Sequence, residues 1–165
     1  MNKLLIIGAG CYGQVVKEVA DTIGNFTKIA FLDDYNPIAN GKLHQYEEFL
    51  DEFKYAFVAI GNPLIRSEWF NKLKDAGYIM TNLISPFSYV SPSAVLKEGI
   101  IVEPNSTINT GAFINQGSLI CAGAIVNHNC KIGTFCQIDC GVVVGANAEV
   151  PDFTKINYND IVVKR

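Results

Sequence analysis

Three groups of residues in this sequence have types and spacings that could do chemistry. Gly8-Ala9-Gly10-Cys11-Tyr12-Gly13 is a G-x-G-x-x-G, and the pair Asp33-Asp34 begins twenty residues beyond Gly13. Glycines in such a loop let a backbone approach a phosphate, and an acid after the next strand is suited to accept hydrogen bonds from a nucleotide's ribose or base. His128, in the segment VNHNCKIG, is the only histidine after His44. An imidazole titrates near neutral pH and can take a proton from an attacking amine or hydroxyl, although a solitary histidine is by default a surface residue. The third group is Cys11, Cys121, Cys130, Cys136 and Cys140. It contains no C-x-x-C pair, so no metal site is expected. An odd number of cysteines without a secretory signal points to reduced thiols in the cytoplasm.

The glycine loop needs a strand before it and a helix after it. Leu4-Leu5-Ile6-Ile7 reads as a buried parallel strand, and Val15, Val16, Val19, Ala20 and Ile23 keep helical spacing up to a stop at Gly24. Lys28 to Leu32 is a second strand ending at the two acids. Tyr46 to Leu50 reads as a short helix and Tyr55 to Ile60 as a third strand. Pro63 opens a second helix with Ile65, Trp69, Leu73 and Ala76 on its apolar face, and Tyr78 to Ile84 reads as a fourth strand. Arg66 falls in that helix as a solvated side chain. Alternating strands and helices predict a small parallel α/β, Rossmann-like domain over residues 1–82. It is too short for two mononucleotide halves, so one nucleotide group is the better fit.

His128 belongs to a different pattern. From Ile84, every sixth residue is aliphatic for fourteen successive positions, ending Val144, Val150, Ile156 and Val162. Neither a helix nor a single strand repeats every six residues, whereas a β-helix with one short strand and one corner per hexad does. Four places after each aliphatic the residue is usually small, as at Ser106, Ala112, Ser118, Ala124, Cys130 and Cys136. One place before that, glycine or asparagine recurs at 99, 105, 111, 117, 123, 129, 141, 147 and 159, the types that best tolerate a left-handed corner. His128 shares the third slot of its hexad with Pro86, Pro92 and Pro104, which predicts that it faces solvent.

The chain has 165 residues, 49% of them hydrophobic, and a net charge of −3. No basic run is present to track phosphates, so nucleic-acid binding is not expected. No apolar stretch reaches membrane-spanning length, so no membrane partner is expected either.

Taken in order, IIGAGCYGQVV, FLDD, AIGNPLIR and the hexad repeat resemble the bacterial nucleotide-sugar acetyltransferases. These include UDP-4-amino-sugar N-acetyltransferases and sialic acid O-acetyltransferase-like proteins of surface-glycan synthesis. The resemblance implies an α/β N-terminal Rossmann-like domain followed by a left-handed parallel β-helix of hexapeptide repeats over residues 83–165. It implies a UDP-linked sugar held by Gly8, Gly10 and Gly13 at its phosphates and by Asp33 and Asp34 at its uridine. It further implies a homotrimer with acetyl-CoA, as acyl donor, in a groove between adjacent solenoids, and His128 as catalytic base.

With the eighteen residues per coil that the resemblance implies, Thr110 lies below His128 and Ala146 above it. The Ala146 N–H, beside Gly145, is then placed to stabilise an oxyanion. Three features depart from the family pattern. Asn129 replaces an acid after the histidine, where it would orient the imidazole without adding charge. Cys11-Tyr12 replaces Gly-His in the glycine loop. Only 37 residues follow His128, so the β-helix reads as shortened at its C-terminus. A non-catalytic, regulatory nucleotide-sugar-binding trimer lacking its coenzyme groove is the alternative reading.

Overall fold

The computed structural model describes residues 2–164, which divide into two compact units, one up to Leu83 and one from Ile84. In the first, strand β1 (Asn2–Ile7) lies between β2 (Phe26–Leu32) and β3 (Tyr55–Val58), and β4 (Ile79–Met80) follows β3 at the edge. All pairs are parallel. The central strand is buried on both faces from Leu4 to Ile7, which accounts for its unbroken apolar run. Helix α1 (Cys11–Ile23) buries Gly13, Val16, Val19 and Ala20 and stops at Gly24, whose φ of 72° is left-handed.

Helix α2 (Pro63–Ala76) begins at Asn62, whose side chain accepts from the Leu64 and Ile65 N–H groups. Its buried face is Arg66, Phe70 and Leu73, one residue round from the predicted face, and Ile65 is 44% exposed. Arg66 is the reason. Its guanidinium is 1% exposed, and Nη1 donates to the carbonyls of Ile60 and Gly61 at 2.7 and 2.8 Å. It is therefore a buried residue that fixes the loop after β3, not a solvated one. Two other expectations change. The connector after β2 holds a 3-10 helix over Leu43–Phe49, and the predicted fourth strand is two short ones, Ile79–Met80 and Leu83–Ile84.

The second unit is a left-handed parallel β-helix. Among the described residues, fourteen two-residue strands run from Leu83–Ile84 to Ile161–Val162 at six-residue intervals and stack into three parallel sheets. Partners are eighteen residues apart, as in Phe113 with Lys131 and Ile125 with Val143. The aliphatic slot fills the interior, with Val102, Ile108, Ile114, Ile120, Val126, Ile138 and Val144 at 0% exposure. The small slot lies inside with them: Ala112, Ala124, Cys130 and Cys136 are also fully buried.

The left-handed slot holds φ between 56° and 72° at each of its nine glycine and asparagine positions. It also holds two residues that the pattern did not include, Phe135 at 53° and Phe153 at 58°. An L-side chain there costs about 1–2 kcal/mol. The two rings stack at 5.7 Å between centroids, an interaction that offsets part of that cost. Gly117 is the residue one coil below, and a Cβ there would lie 2.2 Å from the Phe135 ring.

Candidate functional site

The first unit places Gly8, Asp33 and Gly61 just past the carboxyl ends of β1, β2 and β3, where open parallel sheets bind ligands. The three loop glycines do different work. A Cβ on Gly13 would lie 2.2 Å from the Gly8 carbonyl oxygen, so this glycine seats α1 against β1. Gly8 has φ +98°, and a Cβ there would approach the Ala59 oxygen to 2.9 Å. Gly10 has nothing within 4 Å of its Cβ position, so it faces open space. It is the N-cap of α1, without a side-chain cap and with no acid in the first turn. The first N–H groups of a helix have no intrahelical acceptor and sit at its positive end, an arrangement suited to a phosphate.

Asp33 was expected to face a nucleotide. Its carboxylate instead accepts three backbone hydrogen bonds, Oδ2 from Ala9 at 2.9 Å and Oδ1 from Tyr35 and Asn36 at 2.8 and 2.9 Å. The Ala9 bond foremost holds this carboxyl below its usual range against the opposing effect of burial, with Tyr35, Asn36 and Lys42 adding to it. Asp34 is exposed, and its Oδ1 accepts from the Leu43 N–H at 3.0 Å. Tyr35, which sequence reasoning did not single out, is 94% exposed beside them.

In the second unit, His128 is an exposed corner residue following the strand Ile125–Val126. Its backbone is fixed from both neighbouring coils, since Asn129 N donates to Thr110 O at 2.9 Å and Asn147 N donates to His128 O at 3.0 Å. The side chain that touches the ring is Asn127. Asn127 Oδ1 accepts the His128 backbone N–H at 2.8 Å and lies 2.9 Å from His128 Nδ1. A backbone N–H can only donate, so the amide group facing it is the oxygen. An oxygen beside Nδ1 then requires a proton on Nδ1, so in the neutral ring the lone pair that can act as base is on Nε2.

Asn129 takes a different course from the expected one. With φ 56° it forms the corner, and its Nδ2 reaches Asn147 Oδ1 one coil above at 3.5 Å. The reader of VNHNCKIG meets two asparagines flanking the histidine, and only the structure separates the one on the ring from the one in the corner.

Ala146 lies over His128, as the eighteen-residue step requires. Among the described residues its N–H has no acceptor, because the preceding residue is Gly145 and offers no side chain of the kind that Asn127 supplies to His128. Next to it, Asn147, Glu149, Pro151, Val162, Val163 and Lys164 line a cavity of about 550 Å³. Three of the five cysteines are too buried for nucleophilic chemistry. Cys121, Cys130 and Cys136 are buried, and burial foremost, with Glu103 and Asp139 nearby, pushes the Cys121 thiol far above its ordinary range.

Comparison with known proteins bears on both units. Residues 3–73 match the family model described as the PglD N-terminal domain. The whole chain resembles the acetyltransferase domain of PglB from Neisseria gonorrhoeae FA1090, with 28% identity and a TM-score of 0.91 over 99% of this chain and 86% of that one. The same domain in complex with acetyl coenzyme A matches at 26% identity and a TM-score of 0.78, over 97% of this chain and 98% of that one. PerB from Caulobacter crescentus, in complex with CoA and GDP-perosamine, matches at 25% identity and a TM-score of 0.76, over 98% and 92%. No helix among the described residues is long and apolar enough to cross a membrane.

Proposed function

We propose that this chain, which resembles the nucleotide-sugar acetyltransferases of the hexapeptide-repeat family, moves an acetyl group from acetyl-CoA to an amine or hydroxyl of a UDP-linked amino sugar. The observation that carries the catalytic part is the pairing of Asn127 with His128, which directs the lone pair of the neutral ring to Nε2 at an exposed corner.

In this mechanism His128 Nε2 removes the proton from the sugar's nucleophile as that atom attacks the thioester carbonyl. The free N–H of Ala146 donates a hydrogen bond to the carbonyl oxygen as negative charge develops on it. The tetrahedral intermediate collapses by breaking the carbon–sulfur bond, and the coenzyme leaves as its thiol with the proton that His128 carries. Asn127 holds the ring in the working tautomer throughout. Because it is an amide, it stabilises the imidazolium less than a carboxylate would.

The glycine loop supports the nucleotide assignment, through the uncapped helix terminus and the open space at Gly10. Match to PerB, crystallised with a GDP-linked sugar, makes guanosine the competing base. The coenzyme reading is supported by the cavity beside Ala146 and by the 98% coverage of the Neisseria domain crystallised with acetyl coenzyme A. That coverage also argues for a functional groove and against the non-catalytic alternative. Exposed apolar side chains on the solenoid flanks, Tyr89, Val95, Ile125 and Ile161, support packing of three copies about an axis.

The test is an assay of acetyl-CoA consumption with UDP- and GDP-linked amino sugars in parallel. Coenzyme-dependent acetylation of the UDP-linked sugar is expected. Turnover of the GDP-linked sugar alone would change the nucleotide, and turnover of neither at millimolar coenzyme would remove the enzymatic reading.

A further inference from the structure

Both polar ends of one peptide in the glycine loop are held by the loop after β2. The Ala9 N–H donates to Asp33 Oδ2 at 2.9 Å, and the Ala9 carbonyl accepts from Asn36 Nδ2 at 2.7 Å. The holders are themselves tied together, because Asp33 Oδ1 accepts the N–H groups of Tyr35 and Asn36. Gln14 Nε2 reaches the same Ala9 carbonyl at 3.3 Å from the first turns of α1. A peptide fixed at both ends cannot rotate about its flanking bonds. The orientation of the next N–H groups, at the open position of Gly10 and the start of α1, is therefore set before any ligand arrives.

The residues next to the clamp are placed differently. Asp34 is exposed, and while Oδ1 accepts from Leu43, Oδ2 has no hydrogen bond among the described residues. The Tyr35 ring is 94% exposed at the carboxyl rim of a parallel sheet. An aromatic ring in that position offers a nucleobase a stacking surface. A free carboxylate oxygen beside it offers an acceptor to the N–H and O–H groups of a nucleoside.

We propose that Asp33 and Asn36 are positioning residues that clamp the Ala9 peptide and preset the glycine loop for a diphosphate, while Asp34 and Tyr35 read the nucleoside. This division rests on the nucleotide-binding reading above and deepens it, because it assigns phosphate and nucleoside to different side chains.

The chemistry of an amide separates the two acids. In Asp33→Asn, Oδ1 still accepts from Tyr35 and Asn36, but the new Nδ2 meets the Ala9 N–H donor to donor, and that end of the clamp opens. The measurement is titration of the full-length chain with UDP, GDP and inorganic pyrophosphate, together with the amide proton shift of Ala9. Asp33→Asn should weaken all three ligands by one common factor of roughly tenfold, the scale of losing a hydrogen bond to a charged group. It should also move the Ala9 amide proton upfield. Asn36→Ala should weaken all three ligands in the same base-blind way while keeping the Ala9 N–H bond.

Asp34→Asn and Tyr35→Ala should weaken the preferred nucleotide and leave pyrophosphate and the Ala9 shift unchanged. The clamp is overturned if Asp33→Asn and Asn36→Ala bind pyrophosphate as the parent does. The nucleoside assignment is overturned if Asp34→Asn weakens pyrophosphate as much as it weakens the nucleotides. A parent chain that binds pyrophosphate but neither nucleotide overturns the nucleotide reading itself, and the clamp is then judged on pyrophosphate alone.

Discussion

Alanine substitution at the three loop glycines should give three different results, because the structure gives each a different neighbour. In Gly13→Ala the new Cβ would lie 2.2 Å from the Gly8 carbonyl oxygen, a backbone atom that cannot swing aside. Overpacking of this kind typically costs ~1–3 kcal/mol and sometimes more. A glycine-to-alanine change inside a helix returns about 1 kcal/mol, and because a 2.2 Å approach to a backbone atom puts the overpacking cost at roughly 2–4 kcal/mol, the net effect is a loss of roughly 1–3 kcal/mol. For a chain of this size, 1 kcal/mol moves Tm by ~2–4 °C, so a drop of about 3–10 °C is expected. Gly8→Ala combines a left-handed φ with a 2.9 Å approach to Ala59 O and should fall in the same range. Gly10→Ala enters open space, and loses only the modest N-cap preference for glycine over alanine, about 0.5 kcal/mol. Gly10→Leu should therefore keep its Tm within a few degrees of the parent and still lose UDP affinity by more than tenfold, since the side chain occupies the phosphate's approach. Thermal melts and calorimetry on the four variants decide the matter. The reasoning fails if Gly13→Ala melts with the parent or if Gly10→Leu binds UDP as the parent does.

Other outcomes follow from the same geometry. Asn127→Ala removes the acceptor at Nδ1 and should lower kcat by roughly tenfold or more, whereas Asn127→Asp keeps the acceptor, adds charge and should raise kcat; Asn129→Asp, altered in the corner ladder, should leave kcat near the parent value. The Tyr78 hydroxyl, which donates to the Tyr46 carbonyl, is pushed up to about 12 by burial foremost. Its proton is held more tightly in the folded state, so the stability this contributes is full below pH 10 and declines between pH 10 and 12. Melts across that window should show less decline in Tyr78→Phe than in the parent. Light scattering should give three times the 18.1 kDa chain mass, and a charged residue at Ile125 should shift it toward the monomer.

The solenoid was legible from residue spacing because a six-residue repeat binds every coil to the same three slots. What escaped the pattern were exceptions that a neighbouring coil makes tolerable. Phenylalanine is a poor candidate for a left-handed corner, and Phe135 and Phe153 occupy two because each ring stacks on the other. The face of α2 was misread by one residue because arginine is ordinarily placed in solvent, and Arg66 is instead buried by the carbonyls it satisfies. In the candidate sites, sequence located the segments but not the direction of side chains. FLDD marks the acids, yet the inward turn of Asp33 depends on the Ala9 N–H arriving from the loop after β1. The ring's partner, likewise, is the asparagine before His128, since the one after it is committed to the corner.

The central claim is that His128 is the base of an acetyl-CoA-dependent transfer, and kinetics of His128→Ala beside the parent test it most directly. Loss of a positioned general base typically lowers turnover by ~10²–10⁴-fold. The account predicts a fall of that size in kcat with UDP affinity unchanged, because the glycine loop proposed to bind the nucleotide lies in residues 8–13 of the other unit. A His128→Ala variant that acetylates the sugar as fast as the parent would contradict it.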